Sequence, residues 1–108
     1  MKIIALYSKV FYDNYQSTLQ SLISILENRG YSVAIYSDFY SLIKDFITTA
    51  KDVIVFNSIE EIKNDVECLF SIGGDGTLLD TVSIVQDSGV PVLGINFGRM
   101  GFLSMVKK

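Results

Sequence analysis

Short apolar runs alternate with segments of helical period along this chain, and that alternation restricts the fold more than any other feature. Residues 2–7 are apolar and rich in Ile, as a buried strand is. Asp13 and Asn14 then offer capping side chains ahead of Tyr15, Leu19, Leu22, Ile23 and Leu26, which recur at spacings of three and four. Gly30 follows as a left-handed C-terminal residue, so the spacing predicts a helix over residues 15–29. Val33 and Ile35 mark a second strand, and past Asp38 the residues Phe39, Leu42, Ile43 and Phe46 resume helical spacing. Residues 53–56 and 66–72 are continuous apolar runs separated by a short polar helix or turn. Past Gly76, Leu78, Leu79, Val82 and Val85 predict an amphipathic helix that stops at Gly89, and residues 91–95 open a further strand. Repeated strand-helix order of this kind builds a parallel α/β sheet.

The length of 108 residues suits one domain, and 49% hydrophobic with 12% aromatic residues is enough to fill a core. A net charge of −3 opposes a nucleic-acid or anionic-membrane partner, since both require an excess of Lys and Arg. No apolar run approaches the ~20 residues of a membrane span, and the first residues lack the marks of a signal peptide, so a cytoplasmic location is expected. Cys68 is the sole cysteine and histidine is absent, which removes disulfides, zinc sites and His-based triads. Cys68 lies in an apolar run and is expected to be a buried structural thiol. Any chemistry falls to carboxylates, hydroxyls, backbone groups or a borrowed metal.

Seven of the eight glycines lie from Gly73 onward, with clusters that follow predicted strands, where an open α/β sheet binds its ligands. In the first cluster, Gly73-Gly74-Asp75-Gly76-Thr77, backbone N–H groups and a helix N-terminus can converge on a phosphate. A dinucleotide fingerprint would need a third glycine where Leu79 stands, and a P-loop would need a Gly-Lys-Ser/Thr ending. Gly74 and Gly76 are expected to have positive φ or to lie against phosphate oxygens. Asp75 would repel phosphate unless it meets a hydroxyl or a metal, and a purely structural turn has no use for it.

Gly-Gly-Asp-Gly-Thr after a strand resembles the signature of NAD kinases, of diacylglycerol and sphingosine lipid kinases and, in variant form, of phosphofructokinases. The second cluster, Asn96-Phe97-Gly98-Arg99-Met100-Gly101-Phe102-Leu103, is similar to the Asn-x-Gly-x-x-Gly-Phe-Leu stretch of NAD kinases and follows at that family's spacing. The resemblance is strongest from about residue 68 to 106. It implies an α/β, parallel-sheet, Rossmann-like sandwich forming the N-terminal nucleotide-binding domain of a two-domain kinase. Residues 1–108 would be that domain, with the C-terminal β-rich domain having no counterpart in this sequence and leaving a hydrophobic face exposed.

The resemblance implies that Asp75 is the catalytic base toward the 2′-hydroxyl of NAD's adenosine ribose. Gly73, Gly74, Gly76 and Thr77 would bind the phosphates, Phe102 and Leu103 would pack against the dinucleotide, and Asn96 would hold its own turn beside them. Asp80 is a departure, because many family members carry a basic residue there. Arg99 is the only basic residue between Lys63 and Lys107 and faces either phosphate or solvent. The six tyrosines are spread too evenly for a stacking platform and are expected in the core or on the surface.

The implied reaction carries the γ-phosphoryl of ATP, or of polyphosphate, to NAD to give NADP, with Mg²⁺ or another divalent cation accompanying the ATP. Asp75 as a Mg²⁺ ligand is the mechanistic alternative. Partners would be NAD and ATP, and the complete protein a homo-oligomer, while the isolated chain would lack activity. The competing readings are a diacylglycerol-type lipid kinase, opposed by the second cluster, and a non-catalytic nucleotide-binding module.

Overall fold

The structure is a computed structural model that describes residues 2–97, with Asp75 placed by its backbone alone. Five strands form one parallel sheet, β1 (Ile3–Tyr7), β2 (Ser32–Tyr36), β3 (Ile54–Phe56), β4 (Val66–Ile72) and β5 (Val92–Ile95), in the spatial order β3-β2-β1-β4-β5. Three helices connect them, α1 (Gln16–Asn28), α2 (Ser37–Ile43) and α3 (Asp75–Val85), with 3-10 turns at Asp13–Tyr15 and Ile59–Glu61. This is the α/β, Rossmann-like order expected from the sequence.

All five residues of the central strand β1 are buried, because helices cover a parallel sheet on both faces. Around it lie Leu19, Leu22, Ile23 and Leu26 of α1, Phe39 and Ile43 of α2, and Leu69 and Ile72 of β4. Gly30 ends α1 at φ +89, the left-handed geometry anticipated there. No helix among the described residues is long and apolar enough to cross a membrane.

Local details depart from the sequence pattern. Neither Asp13 nor Asn14 caps α1 through its side chain; a 3-10 turn opened by Tyr15 N–H to the Tyr12 carbonyl, 2.8 Å, leads into the helix instead. Helix α2 stops at Ile43, short of Phe46, which is exposed, and Leu42 within the helix is exposed as well. The largest departure is α3. Its buried residues are Thr77, Thr81 and Val85, spaced every four, whereas Leu78, Leu79 and Val82 point outward at 40%, 71% and 58% exposure. The turn from β4 sets the rotation of the helix, and it turns hydroxyls rather than leucines toward the sheet. The helix also ends at Val85, with Gln86 at φ +46, before Gly89 is reached.

Candidate functional site

The strand order reverses at β1, which has β2 on one side and β4 on the other. At such a switch point the loops leaving adjacent strands diverge and open a crevice. The register sets Tyr7 opposite Ser71, so the chain leaving β1 through Ser8 and Lys9 emerges beside the chain leaving β4 toward Gly73 and Gly74. Strands about 4.8 Å apart bring these two exits into reach of one ligand.

Gly73 is the residue on which the turn depends. Its φ is +137, and a Cβ there would stand 2.7 Å from Thr77 Oγ1, closer than side-chain carbons approach. The positive φ expected of Gly74 and Gly76 belongs instead to Gly73: Gly74 is extended at φ −100, ψ −160, and Gly76 lies within the first turn of α3. Gly74 therefore caps the helix without a side-chain acceptor. The first-turn N–H groups of a helix have no intrahelical partners, so a glycine cap leaves them to water or to an anion, on which the helix dipole acts in the same direction.

Hydroxyl groups anchor this helix. Thr77 is buried with its side chain against Gly73, and the Thr81 hydroxyl lies 2.8 Å from both Ser71 Oγ and the Thr77 carbonyl oxygen. Thr77 thus supports the turn from within. A cavity of about 250 Å³ opens beside it, lined by Ser71, Gly73, Gly74, Leu78, Gly94, Ile95 and Asn96. Elements β4, α3 and β5 meet there, and the cavity gathers Gly73 and Gly74 with Asn96 of the second cluster. Hollows of about 420 Å³ also run along α1 and residues 46–51, but they are lined by no residue of either cluster. The smaller cavity is the candidate site because it lies at strand carboxyl ends and beside the glycine-capped start of α3, where first-turn N–H groups have no intrahelical partners.

Asp80, one and a half turns into α3, accepts a hydrogen bond from the Tyr7 hydroxyl at 3.2 Å, and the Lys9 ammonium lies 3.6 Å from the same Oδ2. Burial, then the Asp80 charge and hydrogen bond, push the Tyr7 phenol up to about 12. Sequence reasoning recognised Asp80 only as a departure and missed Tyr7 and Lys9, since the three meet only through strand pairing. Tyr15 packs edge-on to Phe97 at 5.4 Å and to Tyr12 at 5.2 Å, which brings the start of the second cluster to the head of α1. Cys68 is half-buried rather than buried, and burial pushes its thiol up, away from a reactive thiolate. Phe102, Leu103 and Arg99 lie outside the described residues.

A parallel sheet of this order, with a glycine turn entering a helix at its switch point, defines a Rossmann-like α/β domain. The chain belongs to the ATP-NAD kinase N-terminal domain family, whose model matches residues 12–108. It is 34% identical over 105 residues to an NAD kinase of Christiangramia forsetii, an alignment covering 97% of this chain and 36% of that relative. An NAD kinase of Flavobacterium johnsoniae is likewise 34% identical over 105 residues, again 97% of this chain and 36% of the relative. Among solved structures, yeast NADH kinase complexed with NADH superposes with a TM-score of 0.69 at 25% identity, over 95% of this chain and 31% of that one. The chain spans about a third of the length of the relatives it matches.

Proposed function

We propose that this domain carries the phosphate-binding and acid-base part of an NAD kinase, which moves the γ-phosphoryl of ATP to the 2′-hydroxyl of NAD's adenosine ribose. The observation that carries this reading is the 73–77 turn, whose glycine-capped helix N-terminus faces the cavity at the end of β4. In the transfer a bond forms between the ribose 2′-oxygen and the γ-phosphorus while the bond from that phosphorus to the β,γ-bridging oxygen breaks. ADP leaves with the electron pair, and the hydroxyl proton passes to Asp75. Because such transition states are loose, deprotonation comes late and orienting the hydroxyl is much of what the carboxylate contributes. A divalent cation accompanying the ATP would supply charge neutralisation on its phosphates.

Gly73 and Gly74 give the anion close access, and the α3 N-terminus faces it with N–H groups. Asn96 also lines the cavity, and Phe102 and Leu103 are assigned the apolar packing against the dinucleotide. A second domain, on this reading, supplies the remaining groups that hold NAD, and positioning of that kind can account for roughly 7–11 kcal/mol of barrier. The yeast relative is described as complexed with NADH, which supports a dinucleotide in this crevice.

The test is Asp75→Asn in a protein joining this domain to the C-terminal remainder of its relatives. The expected result is a fall in kcat of at least about 100-fold with an unchanged denaturation midpoint. Near-normal kcat would make Asp75 structural and remove the mechanism.

A further inference from the structure

Lys9 is the one basic residue among the described residues that directly follows a strand's carboxyl end. Lys2 and Lys51 precede strands, Arg29 and Lys44 follow helices, and Lys63 follows a 3-10 turn. The backbone around Lys9 is held locally: the buried Ser8 hydroxyl donates to the Val10 carbonyl at 2.7 Å and accepts from the Val10 N–H at 3.3 Å. The Lys9 ammonium rests 3.6 Å from Asp80 Oδ2, while the hydroxyl of Tyr7, buried at the end of the same strand, donates to that oxygen at 3.2 Å.

Asp80 is thus tied to the core through Tyr7, whereas Lys9 is free to leave. An exposed ion pair in high dielectric is weak, and the Lys9 side chain is 59% exposed, so exchanging the partner costs little. Asp80 lies six residues past the glycine cap of α3, about 9 Å along the axis, within the sweep of a lysine stem. An ammonium can bind phosphate oxygens as a point charge from several directions, which suits a residue that must swing between two acceptors.

We propose that Lys9 is a phosphate-binding cation of the nucleotide site, parked on Asp80 while the site is empty and transferred to a nucleotide's phosphate oxygens when the 73–77 turn receives them. Asp80 is the positioning residue in this arrangement. The inference rests on the reading of that turn as a phosphate site. The shared ligand chemistry is an oligophosphate, from either the diphosphate of a dinucleotide or the triphosphate of the donor.

The experiment titrates NAD and, separately, inorganic tripolyphosphate into the 108-residue chain at low ionic strength, following backbone amide resonances. Shifts at Gly73, Gly74 and Gly76 in the wild type report the turn. Lys9→Ala is expected to weaken binding at least fivefold for one or both probes and Lys9→Arg to stay within twofold of wild type. Asp80→Asn, which frees the ammonium, is expected to bind more tightly. An effect confined to NAD assigns Lys9 to the dinucleotide diphosphate, one confined to tripolyphosphate assigns it to the donor, and both support the proposal. If wild-type amides move but Lys9→Ala binds both probes within twofold of wild type, Lys9 is not a phosphate ligand, although the turn still is. Equal losses in Lys9→Ala and Asp80→Asn would show a pair that serves only the fold and would likewise overturn the proposal. If no wild-type amide in the turn responds to either probe, the phosphate reading of the turn fails and the role of Lys9 fails with it.

Discussion

Helices α1 and α3, thirteen and eleven residues long, use their apolar side chains in opposite ways. Helix α1 buries Leu19, Leu22, Ile23 and Leu26 against the sheet and turns glutamines and serines to solvent. Helix α3 turns Thr77, Thr81 and Val85 inward and leaves Leu78, Leu79 and Val82 outside. Burial of a leucine side chain removes more apolar area from water than burial of a threonine, so α1 contributes more to the hydrophobic stability of the domain. The position of α3 is set by directional contacts, Thr81 with Ser71 and Asp80 with Tyr7, together with the Gly73 turn. One helix makes the fold; the other presents a site and keeps an apolar face in reserve.

That contrast is sharpest at Leu22. Its complete burial predicts that Leu22→Ala costs about 2–5 kcal/mol of folding stability, read from urea denaturation. A loss below 1 kcal/mol would mean that α1 is no more a core element than α3.

The polar anchoring of α3 is open to test by pH. Tyr7 has its phenol pushed up to about 12 in the fold, against about 10 in an unfolded chain, so the neutral form is the one the fold favours. Its contribution is present in full below pH 10 and is lost as pH rises from 10 toward 12, amounting to about 1–2 kcal/mol once solvent screening of the part-exposed Asp80 carboxylate is allowed for. Tyr7→Phe should remove that part of the alkaline loss, because no phenol is left to ionise. Parallel denaturation series at pH 9 and pH 11.5 for the two proteins make the comparison, and identical slopes would count against a Tyr7 contribution.

The smallest effect is expected on the outer face of α3. Leu79→Gln should change stability by no more than about 0.5 kcal/mol, because this side chain contributes little to the core of the chain. A loss as large as that of Leu22→Ala would show that the face is packed in solution.

Much of the architecture was legible because period and burial coincide. Strand β4 spans the predicted run 66–72, α1 begins and ends within one residue of its predicted limits, and Gly30 has the left-handed turn. Where they diverge, the cause is tertiary. A helical stripe at Leu78, Leu79 and Val82 states that one face is apolar, but not that the face meets this sheet; Ser71, ten residues before Thr81, decides that the hydroxyl side does. Phe46 continued the spacing of α2 without packing as the spacing suggested, since the helix had already ended.

The site was legible in its motif and less so in its working parts. The glycine cluster named the turn, yet the strained position is Gly73 rather than Gly74 or Gly76, because only Gly73 packs on Thr77. Thr77 reads as a possible ligand residue in sequence and lies buried in the structure. Tyr7 and Asp80 are separated by 73 positions, so no local pattern could pair them. Asn96 joins Gly73 and Gly74 at one cavity.

The central place of β1 has a consequence for the order in which the molecule assembles. On one side Ile3 pairs with Ser32, and on the other with Val66, so the two halves of the sheet close loops of very different length. Loop closure costs more entropy the longer the loop, by roughly 0.6 kcal/mol for each doubling, and non-local pairing slows folding. A nascent chain has β1, α1 and β2 available well before β4 is made, and domains acquire structure as they emerge. The first half of the sheet is thus expected to serve as a template on which β4 docks, and the crevice between β1 and β4 comes into being only with that non-local pairing, after which β5 adds beside β4 and closes the cavity. On the proposed reading, a nucleotide would meet either a finished site or none, and by binding only the finished form it would favour completion of the sheet.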